Sequence, residues 1–218
     1  MNARLQVEHG VTELVTDLDL VAEQLWIAAG SPLSEAVLAA GAGALAPTRH
    51  SIEVRLAAED PSRAFAPAPG RVGLWQMPSG PGVRVDAAIR SGERVPPDYD
   101  PLIAKIMTVG PDRRSAIDRM RRALDEVSVT GIQTTLPFDR ALFRDPAFAA
   151  GEINTDWVEE RWDGEAHRAA SMVVAADVAA ALATRTAAAP SLHKDAASSW
   201  RLAGRAAALD RWPRGGSR

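Results

Sequence analysis

The sequence predicts an α+β fold, because helical and strand patterns occupy different stretches of the chain. In residues 11–29, apolar side chains recur at intervals of three and four, the period of an amphipathic helix. Residues 51–95 hold short apolar runs separated by Gly and Pro turns, as expected for a set of short strands. Gly110-Pro111-Asp112 then opens another helix, whose expected buried stripe is Ile117, Met120, Leu124 and Val127. Together these segments predict an antiparallel sheet with helices packed against it.

Glycine and proline residues indicate where the remaining elements begin and end. Gly30 and Pro32 end the first helix, and the Ala- and Gly-rich stretch that follows is predicted to be a loop to about residue 48. Gly41-Ala42-Gly43 belongs to this loop, because neither a strand-like run nor a lysine accompanies it as in a phosphate-binding loop. The other predicted elements are a short strand at residues 127–129, a helix at residues 136–143 and an Ala-rich helical connector at residues 165–189.

Composition excludes several classes of function. The net charge of −3 argues against a nucleic-acid surface or a polybasic membrane surface. The chain has no cysteine, which excludes disulfides, zinc–thiolate sites and thiol nucleophiles. The longest apolar run, residues 172–183, is expected to be too short to span a bilayer, and it contains Asp177. We therefore expect a cytoplasmic chain without a nucleic-acid or membrane partner.

The residues that could take part in catalysis or anion binding lie on two short segments. Residues 2–9, here called the signature segment, predict a strand with Arg4, Gln6 and Glu8 on one face. Successive residues on one face of a strand stand about 7 Å apart, close enough to surround a small anion. Residues 51–56 predict a second strand, with Glu53 and Arg55 on its polar face. Taken by itself this pattern also fits two solvated strand faces.

The signature segment resembles the N-x-R-[LI]-Q-V-E-H motif of biotin carboxylases, the ATP-grasp subunits or domains of acyl-CoA carboxylases and pyruvate carboxylase. Further stretches resemble family motifs and follow in the family's order, up to about residue 164: His50-Ser51-Ile52-Glu53-Val54-Arg55-Leu56, Ala58-Glu59-Asp60-Pro61, Pro96-Pro97-Asp98-Tyr99-Asp100 and Gly131-Ile132-Gln133-Thr134-Thr135-Leu136-Pro137. The resemblance implies three segments: the end of an ATP-grasp domain with a connecting helix (1–47), the biotin carboxylase C-terminal domain (48–164) and an Ala-rich tail (165–218).

The resemblance also implies roles for particular residues. Glu8 would be the general base that deprotonates bicarbonate, and Arg4 would orient bicarbonate and the carboxyphosphate intermediate. Gln6 and the backbone of Val7 would add bicarbonate contacts. Arg55 would stabilise the enolate of biotin when its ureido nitrogen attacks CO2.

The family's cofactors are only partly provided for by this sequence. The resemblance implies ATP with Mg²⁺ or Mn²⁺, with Asn2 at a metal-ligand position. The glycine-rich phosphate loop and the ATP-clamping lysines have no counterpart here, since Lys105 and Lys194 are the only lysines. No M-K-M biotin-attachment motif occurs, so biotin would arrive on another chain or free. The implied partners are a biotin carboxyl carrier, a carboxyltransferase and a second copy, with Arg84 at the position of the family's dimer interface.

Two functions from different classes follow. In the first, the chain is the C-terminal part of a biotin carboxylase, inactive alone and completed by upstream sequence or a separate chain. In the second, it is a non-catalytic interaction or dimerisation module, or a gene remnant. Exposed apolar surface where an ATP-grasp lobe would pack favours the first.

The sequence departs from the family motif at Gly10, where proline is usual and a looser helix entry is expected. The acyl-CoA acceptor is chosen by a carboxyltransferase outside this sequence.

Overall fold

The computed structural model describes residues 2, 4–43 and 48–188, and these divide between two compact units, the first ending at residue 169 and the second beginning at residue 170. The first unit mixes helices with small antiparallel sheets, so the predicted α+β class is confirmed. The predicted boundary between residues 47 and 48 stays a prediction.

Three short helices precede the sheet: α1 (His9–Thr16), α2 (Leu20–Ala28) and α3 (Glu35–Gly43). The prediction of one helix over residues 11–29 is wrong, because Asp17 adopts a left-handed conformation with φ of 58° and ends α1. Asp19 then starts α2, its carboxylate accepting the Ala22 N–H at 2.8 Å. The predicted loop after Pro32 is also wrong over residues 35–43. Alanine's high helix propensity outweighs Gly41 and Gly43 there.

The strands follow in the predicted region and beyond it. Their bounds are β1 His50–Ala57, β2 Glu59–Asp60, β3 Ala66–Pro67, β4 Gly70–Arg71, β5 Trp75–Gln76, β6 Val83–Ala87, β7 Arg94–Val95, β8 Leu102–Gly110 and β9 Ser128–Val129. The main sheet has three antiparallel strands in the order β1–β8–β6, with Arg55 on β1 opposite Lys105 on β8. Lys105 also lies opposite Asp86 on β6. Short pairs join β2 to β3, β4 to β7 and β5 to β9.

The core lies between the sheet and α4 (Arg113–Glu126). Asp112 caps this helix, its carboxylate accepting the Ser115 N–H at 2.7 Å, and the predicted stripe from Ile117 to Val127 is buried. Leu56 and Ile106 reach the core from β1 and β8 with no exposed area. Three further helices pack around this core or close the first unit: α5 (Leu136–Arg144), α6 (Pro146–Ala150) and α7 (Trp157–Arg161).

Residues Gly164–Ala188 form α8, which confirms the predicted helical connector. Its start is held by Arg168, which lies 3.2 Å from Asp60, while Trp162 just before it donates to the Pro61 carbonyl at 2.9 Å. The stretch Gly164–Ala183 has a mean hydropathy of 1.2 and is long enough, by length and composition alone, to cross a membrane. The expectation that this region is too short for a bilayer therefore does not hold for the helix. The Ala-rich tail beyond residue 188 lies outside the described residues.

Candidate active site

Residues 4–9 of the signature segment bend into a turn that leads into α1, so the predicted strand is wrong over these described residues. The Gln6 carbonyl accepts the His9 backbone N–H at 3.3 Å and lies 2.7 Å from the His9 Nδ1 atom. These contacts bend the chain where an extended strand was expected. The 7 Å spacing along a strand therefore does not apply to Arg4 and Glu8.

The turn nevertheless gathers most of the predicted polar residues around one cleft of about 600 Å³. Asn2, Arg4, Gln6 and Glu8 all line it. Apolar side chains from α1, α2 and the segment up to α3 complete the wall: Val11, Leu20, Ile27, Leu33 and Val37. The cleft thus combines one guanidinium, that of Arg4, with three amides and two carboxylates, those of Glu8 and Glu23, beside an apolar wall. The guanidinium and the amides can bind a small polar anion.

The predicted base and the predicted enolate-stabilising residue are in contact. Arg55 Nη2 lies 2.8 Å from Glu8 Oε2, and both side chains are about half exposed, at 54% and 48%. Arg55 does not itself line the cleft, but its partner does. The pair therefore connects β1 to the mouth of the cleft. Glu8 thus occupies the hydrogen-bonding position on Arg55 that an oxyanion could otherwise take.

Glu53 lies behind this pair and is almost completely buried, with 6% of its side chain exposed. Its Oε1 atom is 3.8 Å from Arg55 Nε, and neither carboxylate oxygen has a hydrogen-bond partner among the described residues. Burial raises the pKa of Glu53, and the positive charges of Lys105 and Arg55 work against that rise. The sequence suggested only a shared face with Arg55; its burial could not be read from strand alternation.

Lys105 ties the signature segment to the sheet. Its Nζ donates to the Val7 carbonyl at 2.9 Å and lies 3.4 Å from Asp86 Oδ2. Asp86 in turn binds Arg84 at 2.9 Å, and Arg84 reaches Glu13 on α1 at 2.6 Å. This chain of charges fixes α1 against β6 and β8. The Val7 carbonyl is thereby occupied by Lys105, while the predicted contact between the Val7 backbone and bicarbonate stays a prediction.

Arg84 was predicted at a dimer interface. Within the chain its guanidinium donates hydrogen bonds to the carboxylates of Asp86 and Glu13, which raise its pKa further above its ordinary value. Its pairing across a dimer stays a prediction. So does the metal-ligand role of Asn2, since the described residues contain no cluster of three or more His, Asp or Glu that could hold a metal ion.

Comparison with known families finds two matched segments. The family model for the biotin carboxylase C-terminal domain matches residues 53–160. The model for the carbamoyl-phosphate synthase L chain ATP-binding domain matches residues 1–36. Together the two matches cover more than half of the chain. Arg55 lies in the first matched segment and Glu8 in the second, so their contact joins the two segments.

Individual relatives point the same way. The chain is 45% identical over 163 residues to a biotin carboxylase from Nostoc sp., covering 73% of this chain and 35% of that protein. It is 41% identical over 170 residues to the biotin-dependent acyl-coenzyme A carboxylase alpha3 subunit of Mycobacterium leprae, covering 75% of this chain and 27% of that protein.

A solved structure shares the fold at a TM-score of 0.67 and 39% identity, over 73% of this chain and 34% of the other. It is the biotin carboxylase domain dimer of 2-oxoglutarate carboxylase from Hydrogenobacter thermophilus, in complex with MgADP, ADP and bicarbonate. The chain belongs to the biotin carboxylase family. It contains the family's C-terminal domain and spans about a third of the length of the first relatives it matches.

Proposed function

We propose that this chain forms the bicarbonate- and biotin-facing part of a biotin carboxylase, which carboxylates biotin with bicarbonate and ATP. The observation that carries the proposal is the 2.8 Å contact between Glu8 and Arg55 beside a cleft lined by Asn2, Arg4 and Gln6. The contact joins a carboxylate suited to remove a proton with a guanidinium suited to hold an oxyanion.

The proposed chemistry begins with bicarbonate in the cleft. Arg4 lines this cleft. Among the described residues, its guanidinium donates a hydrogen bond only to the carbonyl of the adjacent Leu5, at 3.2 Å. It can therefore turn to bind the anion in a bidentate manner while Gln6 contacts the remaining oxygen. Glu8 takes the bicarbonate proton and leaves Arg55 as it does so. Arg55 is then free to stabilise the negative oxygen that develops on the biotin ureido group.

The residues present fit the anion better than the nucleotide. Asn2 offers one amide oxygen for a Mg²⁺ or Mn²⁺ ion, and the described residues include no glycine-rich phosphate loop. When bound, ATP would supply the phosphoryl group that activates bicarbonate. We propose that its phosphates are held mainly by a part supplied upstream or by a separate chain, and that residues 1–218 alone are inactive.

An exposed apolar face supports a missing lobe rather than a free-standing module. On α2 and α3, Leu25, Trp26 and Leu38 are 68%, 62% and 58% exposed. Leu25 and Trp26 precede Ile27 in the sequence and Leu38 follows Val37, and both Ile27 and Val37 line the cleft. Large exposed apolar groups are usual at surfaces that pack against another body. This observation favours the enzyme over the alternative of a non-catalytic interaction module or gene remnant.

The relatives support the proposed partners. The acyl-coenzyme A carboxylase subunit among them supports a biotin carboxyl carrier and a carboxyltransferase as partners, and the dimeric neighbour supports a homodimer. Biotin would come from another chain or as the free compound. We propose a cytoplasmic location for the assembled enzyme.

The test is a fusion enzyme. The part of the Nostoc biotin carboxylase that precedes its matched region is joined to this chain, and biotin-dependent ATP hydrolysis is measured. We expect activity from the fusion and none from residues 1–218 alone. Glu8→Gln should lower the fusion's activity about 100-fold or more, the scale of a lost general base. Glu152→Gln, an exposed residue outside the cleft lining, is the matched control and should have no effect.

Two outcomes would contradict the proposal. In one, a fusion that is folded and binds MgADP shows no biotin-dependent hydrolysis. In the other, Glu8→Gln is as active as the control. Biotin-dependent ADP release by residues 1–218 alone would overturn the claim of inactivity while leaving the family chemistry intact.

A further inference from the structure

Arg55 lies between two carboxylates that approach different atoms of its guanidinium group. Glu8 Oε2 is 2.8 Å from Arg55 Nη2, and Glu53 Oε1 is 3.8 Å from Arg55 Nε. The first distance is that of a charge-assisted hydrogen bond, and the second is about 1 Å too long for one. Among the described residues, the Arg55 guanidinium donates a hydrogen bond only to Glu8. Its Nε–H is therefore available to a second acceptor.

Glu53 is a buried carboxyl whose hydrogen-bonding capacity is unused. Its side chain is 6% exposed, and neither of its oxygens has a hydrogen-bond partner among the described residues. Helix α1 lies close to it, since a β-carbon at Gly10 would be 3.9 Å from Glu53 Oε2. An unpartnered carboxyl away from water is costly, so its place beside Arg55 needs a specific explanation.

We propose that Glu53 is a positioning residue that binds Arg55 Nε when Glu8 releases Arg55 Nη2 during the reaction. This inference rests on the proposed function, in which Glu8 accepts the bicarbonate proton and Arg55 then stabilises the biotin oxyanion. A guanidinium has five N–H donors in a fixed fork, so a bond at Nε leaves the Nη donors free for an oxyanion. Glu53 thus keeps the cation in place after its first partner is lost.

Protonation of Glu8 drives this exchange of partners. A neutral Glu8 attracts Arg55 less strongly, while an ionised Glu53 keeps its full charge. A shift of about 1 Å toward Glu53 then completes a charge-assisted hydrogen bond at Arg55 Nε. The new bond also gives the buried carboxylate the partner that it lacks in the ligand-free chain.

The charges that face Glu53 act in the same direction. Burial raises the pKa of Glu53; the positive charges of Lys105, Arg55 and His9 oppose that rise, and the negative charge of Glu8 adds to it. When Glu8 takes up a proton, its contribution to the rise disappears. The ionised form of Glu53 is therefore favoured at the step in which it is needed.

Lys105, the second cation near Glu53, is held elsewhere. Its Nζ donates to the Val7 carbonyl at 2.9 Å and lies 3.4 Å from Asp86 Oδ2. Its side chain is 12% exposed, whereas that of Arg55 is 54% exposed and has room to move. Arg55 is consequently the cation that can close on Glu53.

The test uses Glu8→Gln in the 218-residue chain, because glutamine has the shape of a protonated Glu8 and no charge. NMR of the Arg55 ¹⁵Nε–H group measures its exchange with water and its scalar coupling, through a hydrogen bond, to the Glu53 carboxyl ¹³C. Relative to wild type, Glu8→Gln should slow the exchange about tenfold, the scale of one charge-assisted hydrogen bond, and the coupling should appear. Glu152→Gln, at an exposed position, is the matched control and should match wild type in both.

A second substitution identifies the acceptor. Glu53→Met keeps the length of the side chain and removes the carboxylate, so in the Glu8→Gln background it should return the Arg55 Nε–H exchange to the wild-type rate. If the double variant does not fold, the coupling in Glu8→Gln decides, since it names the acceptor directly. An Nε–H that gains no protection in Glu8→Gln, or keeps its gain without Glu53, overturns the proposal.

The fusion enzyme tests whether Glu53 acts through Arg55. Glu53→Met should lower kcat for biotin-dependent ATP hydrolysis about tenfold, the scale of one charge-assisted hydrogen bond, and leave the KM for bicarbonate unchanged. In an Arg55→Ala background the same substitution should have no further effect. A residue that only supports the fold would lower activity by the same factor in both backgrounds.

This proposal and the proposed function fail in different ways. A fusion without biotin-dependent hydrolysis, together with the NMR result expected above, would reject the proposed function and retain the exchange of partners at Arg55. An active fusion in which Glu53→Met and Arg55→Ala have independent effects would retain the proposed function and reject the role of Glu53.

Discussion

Glu8 and Arg55, separated by 47 positions in the sequence, meet at 2.8 Å between the turn before α1 and strand β1. Both side chains are about half exposed, so water screens their attraction. The pair is therefore arranged for chemistry more than for stability, and this distinction can be measured.

We expect Arg55→Ala to lower the free energy of unfolding by less than about 1 kcal/mol, as is usual for exposed ion pairs. In the fusion enzyme the same change should lower biotin-dependent ATP hydrolysis about 100-fold or more, because it removes a cation from the developing oxyanion. Urea unfolding of the chain and steady-state kinetics of the fusion measure the two effects. Arg114→Ala is the control, as Arg114 is 93% exposed. Equal activity of the two variants would reject the role given to Arg55.

The core prediction concerns Leu56, whose side chain has no exposed area. Leu56→Ala should lower the free energy of unfolding by about 2–5 kcal/mol, because it leaves a cavity between β1 and α4. Leu25→Ala makes the same chemical change at a position that is 68% exposed and should alter stability by about 0.5 kcal/mol or less. Thermal and urea unfolding of the two variants test the difference; similar losses would mean that Leu25 is buried in the protein in solution.

Lys105→Met should loosen the signature segment while preserving the apolar stem of the side chain. The charge-assisted hydrogen bond to the Val7 carbonyl is lost, at a cost of about 1.5–3 kcal/mol. Because Val7 precedes the proposed base, the KM for bicarbonate in the fusion should rise. Arg114→Met, which removes an exposed cation, serves as the comparison. An unchanged KM together with unchanged stability would show that this contact does not hold the turn.

Asp139 should make stability depend on pH in a definite direction. Its native pKa of about 7 lies above its ordinary value of 3.8, so the native state binds the proton more tightly than the unfolded state. The resulting stabilisation is fully present below about pH 4 and is lost as the pH rises to about 7. The rise corresponds to about 4 kcal/mol, taken as an upper bound. The difference between wild type and Asp139→Asn, measured by urea unfolding across this range, should follow that curve; a constant difference would contradict it.

Where local rules were unopposed, the sequence was sufficient to predict the structure. The α4 stripe and its Asp112 cap follow from helical period and capping alone. The prediction of one helix over residues 11–29 failed because Asp17 ends α1 and Asp19 caps the start of α2, and hydrophobic periodicity registers neither. The signature segment alternates like a strand, yet the His9 contacts to Gln6 bend it into a turn.

For the site, the motif identified the residues but not their contacts. The bond from Lys105 to Val7 joins positions 98 apart, and no short-range pattern encodes it. Asp139 was missed because one aspartate in a helical stretch has the appearance of a solvent-facing residue. Only the packing of α5 against α4 and α6 shows that it is buried.

Gly10 lies within α1, buried against the Met107 side chain on β8. A β-carbon at position 10 would collide with the Met107 sulfur, so the absence of a side chain lets the helix approach the sheet closely. The absence of proline after His9 was expected to loosen the start of α1, yet Gly10 makes a tight contact with Met107 there. Positions 10 and 107 should consequently evolve as a pair. Members of the family with proline at the position of Gly10 are expected to carry a more compact residue at the position of Met107. Restoring proline here would require Met107 to be exchanged in the same step.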